Sequence, residues 1–237
     1  MEAAEYALMD AAEDRMWWYR ALHARLLDAL DGVQGTVLDA GCGTGGLLAA
    51  LARHRPDLAL IGVEWSPQAA ARAAAKSRAP VARGSICALP LADGSVDAAV
   101  TADVLCHAAV DPDRAAADLY RVLRPGGRLV VNMPAYGWLA SAHDRRVHNA
   151  RRHSAGQLAA LLRGAGFMSV RARYWNSLLL PLMVVQRKVL ARGEAASDVA
   201  DFSRWLDATL HGMTALERRL GIAWPAGGSV LAVAERR

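Results

Sequence analysis

Apolar residues recur at helical spacing near the start of the chain and in short runs after it. Between residues 12 and 30 they fall three or four positions apart, which predicts an amphipathic helix. From residue 36 onward, short apolar runs alternate with helical patterns. Seven strands are predicted, over residues 36–40, 58–64, 80–85, 95–102, 128–133, 167–175 and 228–236. Residues 176–226, mostly helical in pattern, separate the last two strands.

Capping residues mark where several of the intervening helices begin. Ser66-Pro67 and Asp111-Pro112 each place a capping side chain before a proline that suits the first helical turn. Ser154 and Gln157 have the spacing of a capping box. Strands that alternate with helices favour right-handed crossovers and a parallel sheet covered on both faces. We therefore predict an α/β chain with a doubly wound, seven-stranded sheet.

Composition narrows the classes of protein to which the chain can belong. Its 237 residues are 54% hydrophobic and 22% charged, which is enough to bury the core of one domain. The net charge of +5 comes almost entirely from arginine, and no basic stretch is interleaved with aromatic residues. We therefore expect no nucleic-acid partner.

Cysteine spacing and the terminal segment indicate a cytoplasmic protein. Cys42, Cys87 and Cys106 form no CxxC pair, which suits a reducing compartment. The acidic N-terminus has no apolar signal core. The longest apolar run, at 177–185, contains Pro181 and is too short to cross a bilayer, so we expect no membrane partner.

The stretch VLDAGCGTGG, residues 37–46, is the richest candidate for ligand binding. It follows a predicted strand, and Gly41, Gly43 and Gly46 fit the pattern GxGxxG. Glycine has no Cβ, so the backbone can turn tightly there and its N–H groups can approach a ligand. Glu64 ends the next strand and is placed to accept hydrogen bonds from ribose hydroxyls. Sites for NAD, FAD and S-adenosylmethionine (SAM) share these features.

Asp39 favours SAM among these three ligands. It lies two residues before Gly41, where a dinucleotide would bring its anionic pyrophosphate. A carboxylate would repel that group, whereas SAM has no phosphate and carries an ammonium and a sulfonium. A hydrogen-bonded carboxylate near the ammonium is stabilising by about 1–3 kcal/mol. The alternative is that Asp39 is only a local turn former.

Several segments of the chain resemble the class I SAM-dependent methyltransferases. VLDAGCGTGGLL is similar to the first motif of that family, and GVEWSPQAA is similar to its acidic second-strand motif. RGSICALPLADGSVDAAVTADVLCH resembles the adenine-binding loop and fourth strand, and LYRVLRPGGRLVVNMPAY resembles the segment through the fifth. The resemblance covers roughly residues 35–175. MWWYRALHARLL and SAHDRRVHNARRHS resemble the small-molecule branch of the family.

The resemblance implies a domain organisation. It predicts a single domain over 1–237 with a Rossmann-like sheet, mostly parallel, in which the last strand is antiparallel. Residues 1–33 would form an N-terminal helical lid and residues 34–175 the cofactor-binding core. A helical insertion at 176–226 would roof the substrate site or form a subunit contact, and the last strand would lie within 227–237. The sequence leaves a monomer or a homodimer open.

The resemblance also implies roles for individual residues. The residues expected to bind the cofactor are Tyr19, Arg20, Asp39, Gly41, Gly43, Gly45, Glu64, Trp65, Ser85, Ile86, Ala102 and Asp103. In this assignment Arg20 would meet the methionine carboxylate, Glu64 the ribose and Trp65 the adenine. Ala102 and Asp103 would pass near the sulfonium through their backbone carbonyls. Many relatives carry Asp where this chain has Ser85, so adenine recognition here would depend more on the backbone at Ile86.

Polar residues that follow the fourth and fifth strands are candidates for the catalytic base. They are His107, Tyr136, His143 and His148. A base is needed only when the acceptor arrives protonated, because the methyl group of SAM is already electrophilic. The alternative for His107 is that it orders the loop below the cofactor.

The stretch HDRRVHNARRH, residues 143–153, allows three interpretations. Its histidines lack the i,i+4 spacing of helical zinc pairs, so we expect no metal. It could be a solvated basic face. It could also bind an anionic group of the acceptor through Arg151 and Arg152, because arginine offers paired donors. Trp18 and His23 are further candidates for contact with the substrate.

Three functions remain open on these residues. The first is methyl transfer from SAM to a small-molecule acceptor by in-line displacement, with a polar residue as base. The second keeps SAM but performs a different reaction or only binds it. The third, an NAD(P)-dependent oxidoreductase, is disfavoured by Asp39 and by the late strand.

Overall fold

One sheet organises the computed structural model, which describes residues 3–187 and 203–237, without the side chains of residues 3–5, 142 and 143. Its strands are β1 (Thr36–Ala40), β2 (Ala59–Glu64), β3 (Val81–Arg83), β4 (Val96–Ala102), β5 (Leu123–Pro134), β6 (Met168–Trp175) and β7 (Ser229–Glu235). Their order is β3-β2-β1-β4-β5-β7-β6. Strands β1 to β5 are parallel, and β7 runs antiparallel to β5 and β6. This topology confirms the predicted Rossmann-like sheet.

Strand bounds differ from the predicted ones mainly at β3 and β5. Strand β3 has three residues, fewer than the apolar pattern indicates. Strand β5 begins at Leu123 because that residue already pairs with Val96, ahead of an irregularity in the ladder. The order of the strands places the switch point between β1 and β4, where ligands of doubly wound sheets bind.

Helices cover both faces of the sheet. They are α1 (Ala3–Ala12), α2 (Trp17–Ala29), α3 (Gly46–His54), α4 (Pro67–Ser77), α5 (Pro112–Val122), α6 (Ala142–Arg146), α7 (Ala155–Gly164), α8 (Leu180–Val185) and α9 (Arg204–Leu220), with a 3-10 turn at Gly137–Leu139. The predicted caps are present. Ser66 caps α4, Asp111 caps α5, and Ser154 with Gln157 forms a capping box at α7.

The helix predicted within residues 12–30 is present as α2, but it begins later, after a break that separates it from α1. Helix α1 ends at Ala12 and α2 begins at Trp17. The carboxylate of Asp207, on α9, accepts a hydrogen bond from the Trp17 N–H at 2.6 Å. This cap comes from a residue far along the chain, so the local pattern could not reveal it.

Apolar side chains from alternate strand positions form the core on the two faces. On one face, Leu129 and Val131 of β5 pack with Leu119 of α5 and Leu158 of α7. On the other face, the buried residues of α2 and α3 pack against the sheet; they are Leu22, Leu26, Leu47 and Leu51, with Val37, Val100 and Val130 of the sheet. The carboxyl edge of β1, β2, β4 and β5 lies between these layers and holds the candidate site.

The predicted insertion contains α8 and α9, and residues 188–202 of it lie outside the described residues. Helix α9 packs on α2 through the ion pairs Arg20–Asp207, Arg25–Glu217 and Arg218–Asp28. None of the helices in the described residues combines the length and apolar character that crossing a membrane requires.

Candidate functional site

The glycine-rich segment forms a tight turn between β1 and α3. The backbone N–H groups of Gly41 and Cys42 both donate to the Val63 carbonyl of β2, at 2.8 and 3.1 Å. Gly45 has φ +91°, and a Cβ on it would lie 2.7 Å from the Cα of Ala73. A side chain at Gly45 is therefore excluded by backbone conformation and by space.

Glu64, the last residue of β2, ties this turn to the second strand. Its Oε2 accepts a hydrogen bond from Gly43 N at 3.1 Å, and its Oε1 accepts one from Ser66 N at 2.9 Å. The hydroxyl of Tyr6, on α1, donates to the same Oε1 at 3.3 Å. Glu64 is thus held at the turn by the backbone, and it already accepts from one hydroxyl group.

Buried carboxyl groups accumulate around the turn. Asp39 is 3% exposed, and no described residue donates a hydrogen bond to its carboxyl group. Burial, together with the nearby carboxylates of Glu64 and Glu13, raises the pKa of Asp39 to about 8. Glu13 accepts from the Thr44 hydroxyl at 2.7 Å and pairs with the ammonium of Lys76. The site therefore favours a cation and disfavours a phosphate.

Helix α1 and the residues just after it lie over the glycine turn. The Cε of Met9 is 2.8 Å from the point where a Cβ on Gly43 would sit. Asp10 binds the Lys76 ammonium at 2.6 Å, and Asp14 lies 3.6 Å from it. Sequence reasoning missed these contacts. The only signal in the sequence was the close spacing of three acidic residues, Asp10, Glu13 and Asp14.

Helix α2, which was predicted to form part of the lid, packs on α9 and on the end of β6. Arg20 donates to Asp207 at 2.5 Å, so this guanidinium is engaged by α9 and its predicted contact with a cofactor carboxylate is not supported. Tyr19 lies edge-on to Trp18, with ring centroids 5.0 Å apart. Trp18 in turn stacks on Trp175 at 6.3 Å. The ring centroids of His23 and Tyr19 are 6.3 Å apart, and burial lowers the pKa of His23 to about 4.

The residues predicted at the adenine side lie after β2 and β3. The side chain of Trp65 is 73% exposed directly after Glu64. The Ser85 hydroxyl accepts from Cys87 N at 3.1 Å and so stabilises its own loop. Ile86 is buried in the core. Of these three side chains, Trp65 is the one with a free face for a planar ligand.

Asp103 follows β4 and is held against β5. The backbone N–H of Asp103 donates to the Asn132 carbonyl, and the Asn132 side-chain amide donates to Asp103 Oδ1, both at 2.9 Å. Burial raises the pKa of Asp103, the Asn132 bond and the Arg152 charge oppose this rise, and the resulting pKa is about 7. The Asp103 carbonyl accepts from the Cys106 thiol at 3.1 Å. The resemblance implied that the carbonyls of Ala102 and Asp103 face the sulfonium. The Asp103 carbonyl faces Cys106 instead, which argues against this role for Asp103.

The predicted anion-binding arginines are instead bound inside the protein. Arg152 is buried and pairs with both oxygens of Asp144, at 2.9 and 2.8 Å, and it also donates to the Ala135 carbonyl. Arg151 donates to the backbone carbonyls of His107 and Val110, at 2.7 and 2.9 Å. The acceptor-binding role of Arg151 and Arg152 stays a prediction, which these internal bonds disfavour. These guanidiniums satisfy buried carbonyls and a buried carboxylate of the loops after β4 and β5.

The four predicted bases fall in different environments. His107 Nδ1 donates to the Val147 carbonyl at 2.9 Å, which fits the loop-ordering alternative, and burial lowers its pKa. Burial and a bond with Tyr174 raise the pKa of Tyr136 to about 12, which weakens it as a base. The side chain of His148 is exposed, and its backbone has φ +57°. His143 lies in α6, but its side chain is outside the described residues.

Aromatic rings line the ends of β5 and β6. Tyr136 stacks on Tyr174 at 5.2 Å and on Trp138 at 5.7 Å between centroids. Trp138 is 52% exposed. In the described part of the chain, no three His, Cys, Asp or Glu side chains are grouped to hold a metal ion.

Comparisons with known proteins agree with this site. A family model described as a methyltransferase domain matches residues 38–131. An uncharacterized 37.1 kDa protein in transposon TN4556 of Streptomyces fradiae is 36% identical over 203 residues, which cover 78% of this chain and 55% of that protein. A malonyl-[acyl-carrier protein] O-methyltransferase of Herminiimonas arsenicoxydans is 36% identical over 117 residues, covering 49% of this chain and 44% of that protein. The chain thus spans about half the length of these curated relatives.

The fold comparison extends over the whole chain. The crystal structure of a SAM-dependent methyltransferase from Thermotoga maritima, described as a possible histamine N-methyltransferase, superposes with a TM-score of 0.65 at 21% identity. The match covers 99% of this chain and 96% of that one, and at this identity it establishes the fold. Residues 38–131 thus match a methyltransferase domain, and the chain has the fold of a SAM-dependent methyltransferase.

Proposed function

We propose that this protein transfers a methyl group from SAM to a small-molecule acceptor by in-line displacement. The observation that carries the proposal is the set of buried carboxyl groups at the glycine turn, where Asp39 has no cationic partner among the described residues. Lys76 neutralises Glu13, whereas Asp39 faces only further carboxylates among the described charged groups. A ligand with an ammonium and a sulfonium relieves this repulsion, and a pyrophosphate increases it.

The residues at the turn fit the parts of SAM. Glu64 accepts from the ribose hydroxyls, and the Tyr6 hydroxyl on its Oε1 has to be displaced or shared. Asp39 binds the ammonium, and the Gly41, Gly43 and Gly45 backbone leaves room for the methionine part. Trp65 offers an exposed ring to the adenine. When bound, SAM supplies a methyl group that is already activated as an electrophile.

A small, partly apolar acceptor fits the other end of the site. The stacked rings of Tyr174, Tyr136 and Trp138 form a flat wall after β5 and β6. Such a wall orients a small planar molecule and keeps water from the reacting atoms. The named curated relative is an O-methyltransferase, which supports an oxygen acceptor as one class to test. A cytoplasmic location and a monomeric or homodimeric state stay predictions.

Among the predicted bases, the surroundings disfavour Tyr136 and His107, and the role of His148 stays a prediction. His148 is exposed, whereas Tyr136 has a raised pKa and His107 uses one ring nitrogen inside the loop. The role of His143 stays a prediction.

Calorimetry with SAM, S-adenosylhomocysteine and NADH tests the cofactor, and transfer of labelled methyl from SAM to a panel of phenols and amines tests the reaction. We expect binding of the first two ligands and not of NADH, with label in at least one acceptor. Binding of NADH alone would overturn the proposal. Binding of SAM without transfer to any acceptor would instead favour a SAM-binding protein or a different reaction on SAM.

A further inference from the structure

Asp103 occupies an unusual position between the cofactor turn and the acceptor end of the site. Its backbone has φ +55°, a left-handed conformation that residues other than glycine seldom adopt. The next residue, Val104, packs on the first glycine of the turn, since a Cβ on Gly41 would lie 2.4 Å from a Val104 methyl carbon. A carboxylate is therefore fixed where β4 meets the cofactor loop, and backbone strain of this kind concentrates at functional sites.

Three strands cooperate to orient this carboxyl group. The indole N–H of Trp175, on β6, donates to Asn132 Oδ1 at 2.8 Å. An indole N–H can only donate, so the amide oxygen of Asn132 must face Trp175 and the amide nitrogen must face Asp103. Asn132 then donates to Asp103 Oδ1 at 2.9 Å. Among the described residues, none donates to the second oxygen, Oδ2.

The charged groups around Asp103 leave it able to gain and lose a proton near neutral pH. Arg152 and Asp144 face it from the segment after β5 and are themselves paired, so their effects on its pKa oppose each other. The thiol of Cys106 faces it from its own loop, and burial keeps the pKa of that thiol well above its ordinary value. Burial raises the pKa of Asp103 to about 7, which suits a general base.

We propose that Asp103 Oδ2 is the general base that removes the proton of the methyl acceptor, an inference that rests on the proposed methyltransferase function. The lone pair of the acceptor oxygen or nitrogen forms a bond to the methyl carbon as the carbon–sulfur bond breaks. The bonding pair leaves with the sulfur, which becomes the neutral thioether of S-adenosylhomocysteine. The acceptor proton passes to Asp103 Oδ2 and then to solvent.

The assignment also defines the acceptor class. A carboxylate base is useful for a nucleophile that carries a proton near neutral pH, such as a phenol or an amine. It is of no use for an acceptor that has ionised by itself. The dependence of catalysis on Asp103 should therefore follow the acidity of the acceptor.

The test compares Asp103→Asn with wild type on phenol, catechol and 4-nitrophenol as acceptors. We expect kcat for phenol and catechol to fall at least about 100-fold, with the deficit shrinking for 4-nitrophenol, which ionises near neutral pH. Affinity for SAM should stay within about threefold, because Asp103 acts on the acceptor. Asp39→Asn, a matched change in β1, should instead weaken SAM binding.

A second variant separates the proton transfer from a structural role. Asp103→Gly suits the left-handed backbone and removes the carboxyl group. Added formate should restore part of its activity with phenol, which a merely structural side chain would not allow. In wild type, kcat for phenol should rise with pH up to about 7 and then level off, and this inflection should be absent from Asp103→Asn.

Each outcome has a defined meaning. If wild type methylates none of the three phenols or the amines of the panel, the proposed function and the base both fall. If wild type is active and Asp103→Asn keeps its kcat, or keeps the inflection in its pH profile, the base assignment alone is overturned. A uniform loss across all three phenols, without rescue of Asp103→Gly by formate, would also overturn it.

Discussion

The cofactor turn and the segment after β5 use charge in opposite ways. At the turn, burial raises the pKa of Asp39 to about 8, with a further contribution to this value from the carboxylates of Glu64 and Glu13, and no cation in the described part of the chain balances Asp39. After β5, Arg152 and Asp144 neutralise each other at 2.8 Å, and Arg151 is bound by two backbone carbonyls. Unbalanced buried charge is costly unless a ligand compensates it. Balanced charge already has its partner inside the fold.

The density of charged residues is therefore a poor guide to a binding site. The stretch 143–153 is the more striking of the two in sequence, with four arginines and three histidines. Two of those arginines nevertheless donate hydrogen bonds to groups inside the protein. The glycine turn carries fewer charges, but one of them lacks a partner. The five predictions below test this difference.

Removal of Arg152 should have the largest effect, and it should act on stability. Arg152→Ala leaves the buried Asp144 carboxylate without its cation, which costs about 3–5 kcal/mol in the free energy of unfolding. Urea unfolding followed by circular dichroism measures this loss. Affinity of the folded fraction for SAM should be nearly unchanged.

Arg145→Ala is the matched control, because Arg145 is exposed in the same segment. Its effect should stay within about 0.5 kcal/mol. If Arg152→Ala were as stable as Arg145→Ala and lost only acceptor binding, Arg152 would bind the acceptor and would not serve mainly to neutralise Asp144.

Removal of Glu64 should act on the cofactor and much less on the fold. Glu64→Ala deletes a charged acceptor for the ribose hydroxyls, so SAM affinity should fall by about 1.5–3 kcal/mol, or roughly ten- to a hundredfold. Calorimetry measures the change. A SAM affinity within threefold of wild type would show that this carboxylate only ties Gly43 and Ser66 to β2.

The cofactor half of the site was largely predictable because its residues lie in short, contiguous segments of the chain. Gly41, Gly43 and Gly45 adopt the left-handed backbone that glycine permits, and Glu64 ends the adjacent strand as its spacing indicates. The parallel sheet with helices on both faces followed from the alternation of strands and helices, and the caps of α4, α5 and α7 followed from local residue types.

The acceptor half was not predictable in the same way, because its contacts join distant segments. The bond from Trp175 to Asn132 and on to Asp103 crosses three strands, and the Asp207 cap that starts α2 comes from α9. Hydrophobic periodicity reports which side of an element is buried and not which polar groups meet there. The same limit hid the approach of Tyr6 and Glu13 to the glycine turn.

A proton should leave Asp39 when SAM binds. With a pKa of about 8, Asp39 is mostly protonated at pH 7, and a cationic ligand lowers that pKa. Calorimetry in buffers of different ionisation enthalpy should show release approaching about one proton per SAM at pH 7 and almost none above pH 9. SAM affinity should rise between about pH 6 and 8, by less than about tenfold per pH unit. Asp39→Asn should abolish the release, and release that persists in this variant would place the proton elsewhere.

The same group should set part of the pH dependence of stability. The pKa of Asp39 in the folded protein lies above its ordinary value of 3.8, so between these two values the folded state binds a proton that the unfolded state has lost. Stability therefore falls as pH rises from about 4 to 8. Asp39→Asn removes this slope and should raise Tm at pH 8 by about 2–4 °C, the equivalent of about 1 kcal/mol for a chain of this size. A lower Tm for this variant would mean that the carboxylate is compensated in the free protein.

The smallest effect should come from Tyr6, and its sign is informative. The Tyr6 hydroxyl donates to Glu64 Oε1, the carboxylate proposed for the ribose, so α1 and the cofactor compete for one acceptor. Tyr6→Phe removes this competition and keeps the ring, so SAM affinity should increase by about two- to tenfold, the equivalent of one hydrogen bond of about 0.5–1.5 kcal/mol. Tyr120→Phe, whose ring packs on Phe167 on the other side of the sheet, serves as the control and should leave SAM affinity unchanged. Asp10 and Glu13 also hold α1 near the turn through their ion pairs with Lys76. Higher ionic strength weakens the partly exposed Asp10–Lys76 pair, so SAM affinity should rise with ionic strength as well, in addition to the gain in Tyr6→Phe. If Tyr6→Phe binds SAM more weakly, the hydroxyl supports the ribose site together with Glu64, and the turn has one more binding group than the comparison assigns to it.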